Sequence, residues 1–99
     1  MGLAKDHSNI GNVLRDIGEL QEARESHSKA LKIHEELDDK MGMANDYYNI
    51  SFVLSKTSKE EALKSLYNAL TILQEFEKEN GYRHPLMENV NSRISDLKG

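Results

Sequence analysis

The chain has 99 residues, the size of one small domain. It is acidic, with 17 Asp and Glu against 13 Lys and Arg for a net charge of −4, which argues against nucleic acid, whose binding rests on neutralised phosphates. Cysteine is absent, which excludes disulfides and thiolate metal sites, and no run of about 18 apolar residues predicts a membrane span.

No positively charged start leads into an apolar stretch of the signal-peptide kind, so the expected location is the cytoplasm. Hydrophobic residues make up 37% and charged ones 30%, enough for a thin core between two layers. A single Pro and abundant Ala, Leu, Glu and Lys predict an all-α chain. The first helix is amphipathic through Ile10, Val13, Leu14 and Ile17 and is broken by Gly18. Leu20, Ala23, His27, Ala30, Leu31, His34 and Leu37 follow at helical spacing and mark a second helix. Asp38, Asp39, Lys40 and Gly42 form its exit, with Gly42 suited to a C-terminal cap or to the next entry. A third helix is expected over 44–54. A Ser/Thr/Lys turn then leads to a fourth over about 59–79. Asn80-Gly81 signals a turn, and Pro85 suits the first position of a fifth helix, whose apolar face is Leu86, Val90, Ile94 and Leu97.

The helices repeat. Residues 2–14 (GLAKDHSNIGNVL) and 42–54 (GMANDYYNISFVL) agree at seven of 13 positions, where chance gives about one. Residues 22–37 and 61–76 agree at seven of 16, at an offset of 39 instead of 40. The lost residue belongs in the turn before the even-numbered helix, because a deletion inside a helix rotates its buried face by about 100°. A weaker third unit follows, with Asn89, Val90 and Ile94 lying 40 residues after Asn49, Ile50 and Leu54. Ala23 and Ala30, then Ala62 and Ala69, recur as pairs seven apart, which predicts close helix approach.

The spacing His7, Ile10, Gly11, Leu14, repeated as Tyr47, Ile50, Ser51, Leu54 and as Met87, Val90, Asn91, Ile94, together with Gly18 and the paired alanines, resembles the tetratricopeptide repeat in its long 40-residue form. Departures are the absent Trp, Asn91 at a small-residue position and the shortened second turn. The resemblance implies an α-solenoid of antiparallel helix pairs, with five helices in two and a half repeats. One domain over 1–99 would comprise a first repeat over about 2–40, a second over about 42–80 and a C-terminal half-repeat or capping helix over about 84–98. A complete module and a segment of a longer array both stay open.

In such a solenoid the odd-numbered helices line a concave groove, and the family's use of that groove implies a protein or peptide ligand. The candidate groove residues are Lys5, Asn9, Asn12, Asn45, Tyr48, Asn49, Phe52, Lys56 and Asn89. Asn9, Asn49 and Asn89 recur every 40 residues, and an amide that both donates and accepts can bond an extended backbone of any sequence. Local backbone bonds or buried inter-helix bridges are the competing roles for these asparagines, and core packing is the competing role for Phe52. Some members of the family clamp a C-terminal carboxylate with two Lys, two Asn and an Arg. Asn12 and Asn49 match the asparagines, but the cations fall on Ser8, Pro85 and Asn89, so this ligand is not expected.

Other chemistry is thin. His27 and His34 are seven apart, about 10.5 Å along a helix, too far to share a metal. They occupy stripe positions filled by Leu66 and Leu73 in the second unit, so both are expected to be buried and neutral. His7 reads as a packing residue and His84 as a loop residue. Asp38-Asp39-Lys40 lacks the alternating acids of a calcium loop, and Gly11 and Gly18 are too far apart for a phosphate loop. The charges Glu22, Arg24, Glu25, Lys29, Lys32, Glu35 and Glu36 read as a solvated convex face. No metal, cofactor or catalysis is expected. The expected function is a protein–protein interaction module. A sensor of a short signalling peptide within a larger regulatory protein, and a purely structural stacking segment, stay open. Weak self-association is expected through the apolar faces of the terminal helices.

Overall fold

The computed structural model describes residues 3–16 and 18–99, and the side chains of these except residues 3–5, 8, 13 and 16. Among the described residues the architecture is all-helical, in the order α1 (Leu3–Asp16), α2 (Leu20–Glu36), α3 (Lys40–Leu54), α4 (Lys59–Asn80) and α5 (Leu86–Lys98). Each helix packs on the next, and α1 also meets α3. The Cα envelope measures 39 × 38 × 17 Å. The short dimension is about that of two helix layers whose axes lie 8–10 Å apart. The odd-numbered helices form one layer, and α2 and α4 the other.

Local chemistry sets the helix ends. After α1, Gly18 takes φ 86, its N–H donates to Arg15 O and the Glu19 N–H to Leu14 O, a Schellman closure. The same closure ends α2, where the Asp38 N–H donates to Glu35 O and the Asp39 N–H to His34 O. Here the left-handed residue is Asp38, at φ 54, so of the two roles open to Gly42 it is the next entry that holds. Gly42 lies inside α3, which starts four residues earlier than expected, because the Asp39 carboxylate accepts the Gly42 N–H at 2.9 Å. Ser58 caps α4 by accepting the Glu61 N–H at 3.3 Å, and Ser-x-x-Glu is the capping-box spacing. No described residue between α3 and α4 has positive φ. The deleted residue is therefore accommodated by a turn without a left-handed step. At α5 the His84 ring accepts the Leu86 N–H at 3.0 Å, so this loop histidine also serves as a cap.

The core follows the apolar stripes. Ala44, Leu66, Ala69, Leu73, Met87, Val90 and Ile94 form its larger cluster, and Ile50, Leu54 and Ala62 a smaller one. Ala23, Ala30, Ala62 and Ala69 are all completely buried, which bears out the close-approach reading. In the first pair, a methyl group on Gly11 would meet the His27 ring at 2.7 Å. Position 11 is therefore glycine because a histidine fills the space opposite. The apolar face of α5 is better covered than the self-association reading supposes. Val90 is fully buried, Ile94 is 9% exposed, and Leu86 and Leu97 pack at the edges of the clusters. Among the described side chains of α1, Ile10, 51% exposed, is the large apolar one left open.

Candidate functional site

The candidate groove residues with described side chains lie on α1, α3 and α5, apart from Lys56, which is two residues past the end of α3. Lys5 has no described side chain. Asn9, Asn45 and Asn89 are exposed, and Asn12 and Asn49 half-buried. Among the described residues no side-chain amide of these five makes a hydrogen bond. The Asn12 Oδ1 is buried and has no partner among the described residues. Asn45 and Asn89 line one recess between α3 and α5, of about 550 Å³, together with Asp39, Met41, Gly42, His84, Pro85 and Leu86. The structure thus brings Asn89 together with Asn45. The sequence ladder had joined it to Asn49, which does not line that recess.

Farther along α3, Tyr48 and Phe52 meet edge-to-face, with ring centroids 5.1 Å apart. Two guanidiniums lie over the Phe52 ring, Arg93 at 4.4 Å and Arg15 at 5.3 Å from its centroid. Phe52, Lys56, Arg15 and Arg93 line a second cavity of about 370 Å³. Phe52 is half-buried, so it both packs and presents a face. Arg93 was not among the sequence candidates. Its signal was available in the repeat, because position 93 corresponds to Val13 and Val53, and Val53 is buried. An arginine at a core position must carry its guanidinium to the edge of the core, and here it arrives at Phe52.

The histidines of α2 differ from each other. His27 is completely buried and neither ring nitrogen has a partner among the described residues. Burial, with the nearby Arg15 charge second, lowers its pKa to about 4, so it is neutral near pH 7 as expected. His34 is tied down: its Nδ1 lies 2.5 Å from Oδ2 of Asp46, which is completely buried on α3, and its Nε2 lies 3.9 Å from the Asp39 carboxylate. From the sequence His34 is expected only as a buried, neutral stripe residue like His27, and Asp46 is not among the candidates. A buried carboxylate needs such a partner.

The charges expected on the convex face, Glu22, Arg24, Glu25, Lys29, Lys32, Glu35 and Glu36, are all exposed. A family model described as tetratricopeptide repeat matches residues 4–75. The chain belongs to the tetratricopeptide repeat family. No curated protein and no solved structure gives a match. Tetratricopeptide repeats generally mediate protein–protein interaction, and the family is typically non-catalytic. No described helix is long and apolar enough to cross a membrane.

Proposed function

We propose that this tetratricopeptide repeat chain is a non-catalytic module that binds a peptide or helix of a partner protein along the layer formed by α1, α3 and α5. The observation that supports this reading is the set of amides without hydrogen-bond partners. Asn45, Asn49 and Asn89 have none among the described residues, and Asn45 and Asn49 stand on the same helix as the aromatic pair Tyr48 and Phe52. Amides used as structural bridges would be bonded to neighbouring helices. Amides that serve a ligand stand open, and an extended backbone supplies both the donors and the acceptors they need.

Binding to a partner isolated by affinity capture should weaken by more than about 1 kcal/mol in Tyr48→Ala, as for a central aromatic anchor. Asn49→Ala should cost a similar amount by leaving a desolvated peptide group unpaired. Arg24→Ala and Lys32→Ala, on the other layer, should change little. Calorimetry on variants whose helicity is intact reads these differences. Loss of binding in the α2 variants, with Tyr48→Ala and Asn49→Ala unaffected, would move the site off this layer.

A further inference from the structure

We propose that Arg15, Lys56 and Arg93, gathered around Phe52, form an oxyanion pocket that receives a carboxylate or phosphate group of the bound peptide. The inference rests on the peptide-binding reading for the source of the anion, and on the local geometry for the site. The chain as a whole carries a net charge of −4. Yet the cavity of about 370 Å³ is lined by three cations and one aromatic ring, with no acidic side chain among the described residues that line it. Two of these cations, Lys56 and Arg93, bring like charge together that an entering anion relieves.

The donors are set in place before any ligand arrives. Ser55 Oγ donates to Phe52 O at 2.9 Å, and Arg93 Nη2 donates to the same Oγ at 2.9 Å. That chain of bonds, with the ring 4.4 Å from the guanidinium carbon, fixes the plane of the fork. A guanidinium has five N–H donors in a fork that matches carboxylate and phosphate geometry. Ser55 is the one hydrogen-bond partner of Arg93 among the described residues, and its Nε is buried without any. Neither Arg93 nor Lys56 has an ion pair among the described residues. Arg83, by contrast, is satisfied by Glu77 at 3.2 Å. Lys56 is exposed, one turn beyond Phe52, and supplies a mobile point charge. Arg15 adds a third positive charge from α1.

The cluster also lies off the carboxylate-clamp positions Ser8, Asn12, Asn49, Pro85 and Asn89. It joins α1 and α5 to the end of α3, so an anion held there would bridge all three units. The consequence is a fixed register: the partner's acidic group docks at Phe52 and the remaining peptide runs past Asn49 and Asn45.

The test uses inorganic phosphate and acetate as probes at constant ionic strength, followed by NMR of the arginine Nε–H groups and the Phe52 ring. Saturable shifts of Arg93 and Phe52 signals are expected. Arg93→Gln should weaken the affinity about tenfold, Arg93→Lys should recover part of it because the charge remains without the fork, and Arg83→Gln should change nothing. Lys56 is exposed, so Lys56→Gln keeps the fold and should weaken binding about threefold. Peptides that differ only in carrying Glu, phosphoserine, or a free against an amidated C-terminus then identify the source of the anion. Shifts that never saturate, or that persist equally in Arg93→Gln and Lys56→Gln, would overturn the pocket. Asn49→Ala separates the two readings, since it should lower peptide affinity while leaving phosphate affinity unchanged. If it alters neither, the groove fails and the anion pocket stands.

Discussion

The junction between the first helix pair and the second, and the junction between the second pair and α5, occupy equivalent places in the repeat and use opposite chemistry. His34 of α2 corresponds to Leu73 of α4, and Asp46 of α3 corresponds to Leu86 of α5. At the first junction the two side chains form a hydrogen-bonded pair around a fully buried carboxylate. At the second, Leu73 and Leu86 belong to one apolar cluster. The repeat therefore tolerates a polar or an apolar contact at this place, provided both members change together. A buried pair gains little over an apolar one of similar volume, whereas half a pair is costly.

The sharpest way to break the comparison is to change one partner alone. His34→Leu takes the imidazole away from a buried carboxylate and should cost about 3–5 kcal/mol in chemical denaturation. The double variant His34→Leu, Asp46→Leu imitates the second junction and should recover most of that loss. A double variant as unstable as the single one would show that the two junctions are not interchangeable. A smaller effect tests what the two pairs share. Ala30→Leu and Ala69→Leu each force a larger side chain into a completely buried position and should cost about 1–3 kcal/mol. If one site accepted leucine without loss, the equivalence of the helix approaches in the two units would fail.

The smallest effect concerns His27, which stands where the second unit has Leu66. Its folded pKa is lowered from 6.5 to about 4, so the unfolded chain takes up the proton first. The contribution to stability is complete above about pH 6.5, falls as the pH drops, and levels off below about pH 4. At pH 5.5 the loss is about 1.4 kcal/mol. It is read as the difference in denaturation free energy between the native chain and His27→Leu, which cancels the other titrating groups. An identical pH dependence in the two proteins would show that the ring is solvated.

The helices were legible in the sequence because apolar spacing and paired alanines act locally and recur. The exit from α2 was not, because Asp38 took the left-handed position that glycine usually fills and Asp39 drew Gly42 into α3. The buried Asp46 was hidden for a related reason. An isolated aspartate reads as surface, and its partner lies 12 residues earlier on another helix. Only the joint replacement of His34 by Leu73 and Asp46 by Leu86 carries the signal, and it appears when the units are aligned at both offsets. In the candidate site, Tyr48, Phe52 and the asparagines could be chosen from helix faces alone. Arg93 required asking why one unit places a cation where the others place valine.

The packing of each helix almost wholly against its sequence neighbours has a kinetic consequence. Most packing is between neighbouring helices, with contacts such as Arg15 to Phe52 and Arg93 to Ser55 reaching farther along the chain, so little loop-closure entropy stands in the way, and folding belongs to the microsecond-to-millisecond range of local topologies. Stability is then close to a sum of pair and junction contributions along one axis. A lesion at one junction stays local in such an arrangement. In His34→Leu, the amide protons of α1 and α2 should exchange with solvent through a separate, cheaper opening while those of α4 keep their protection.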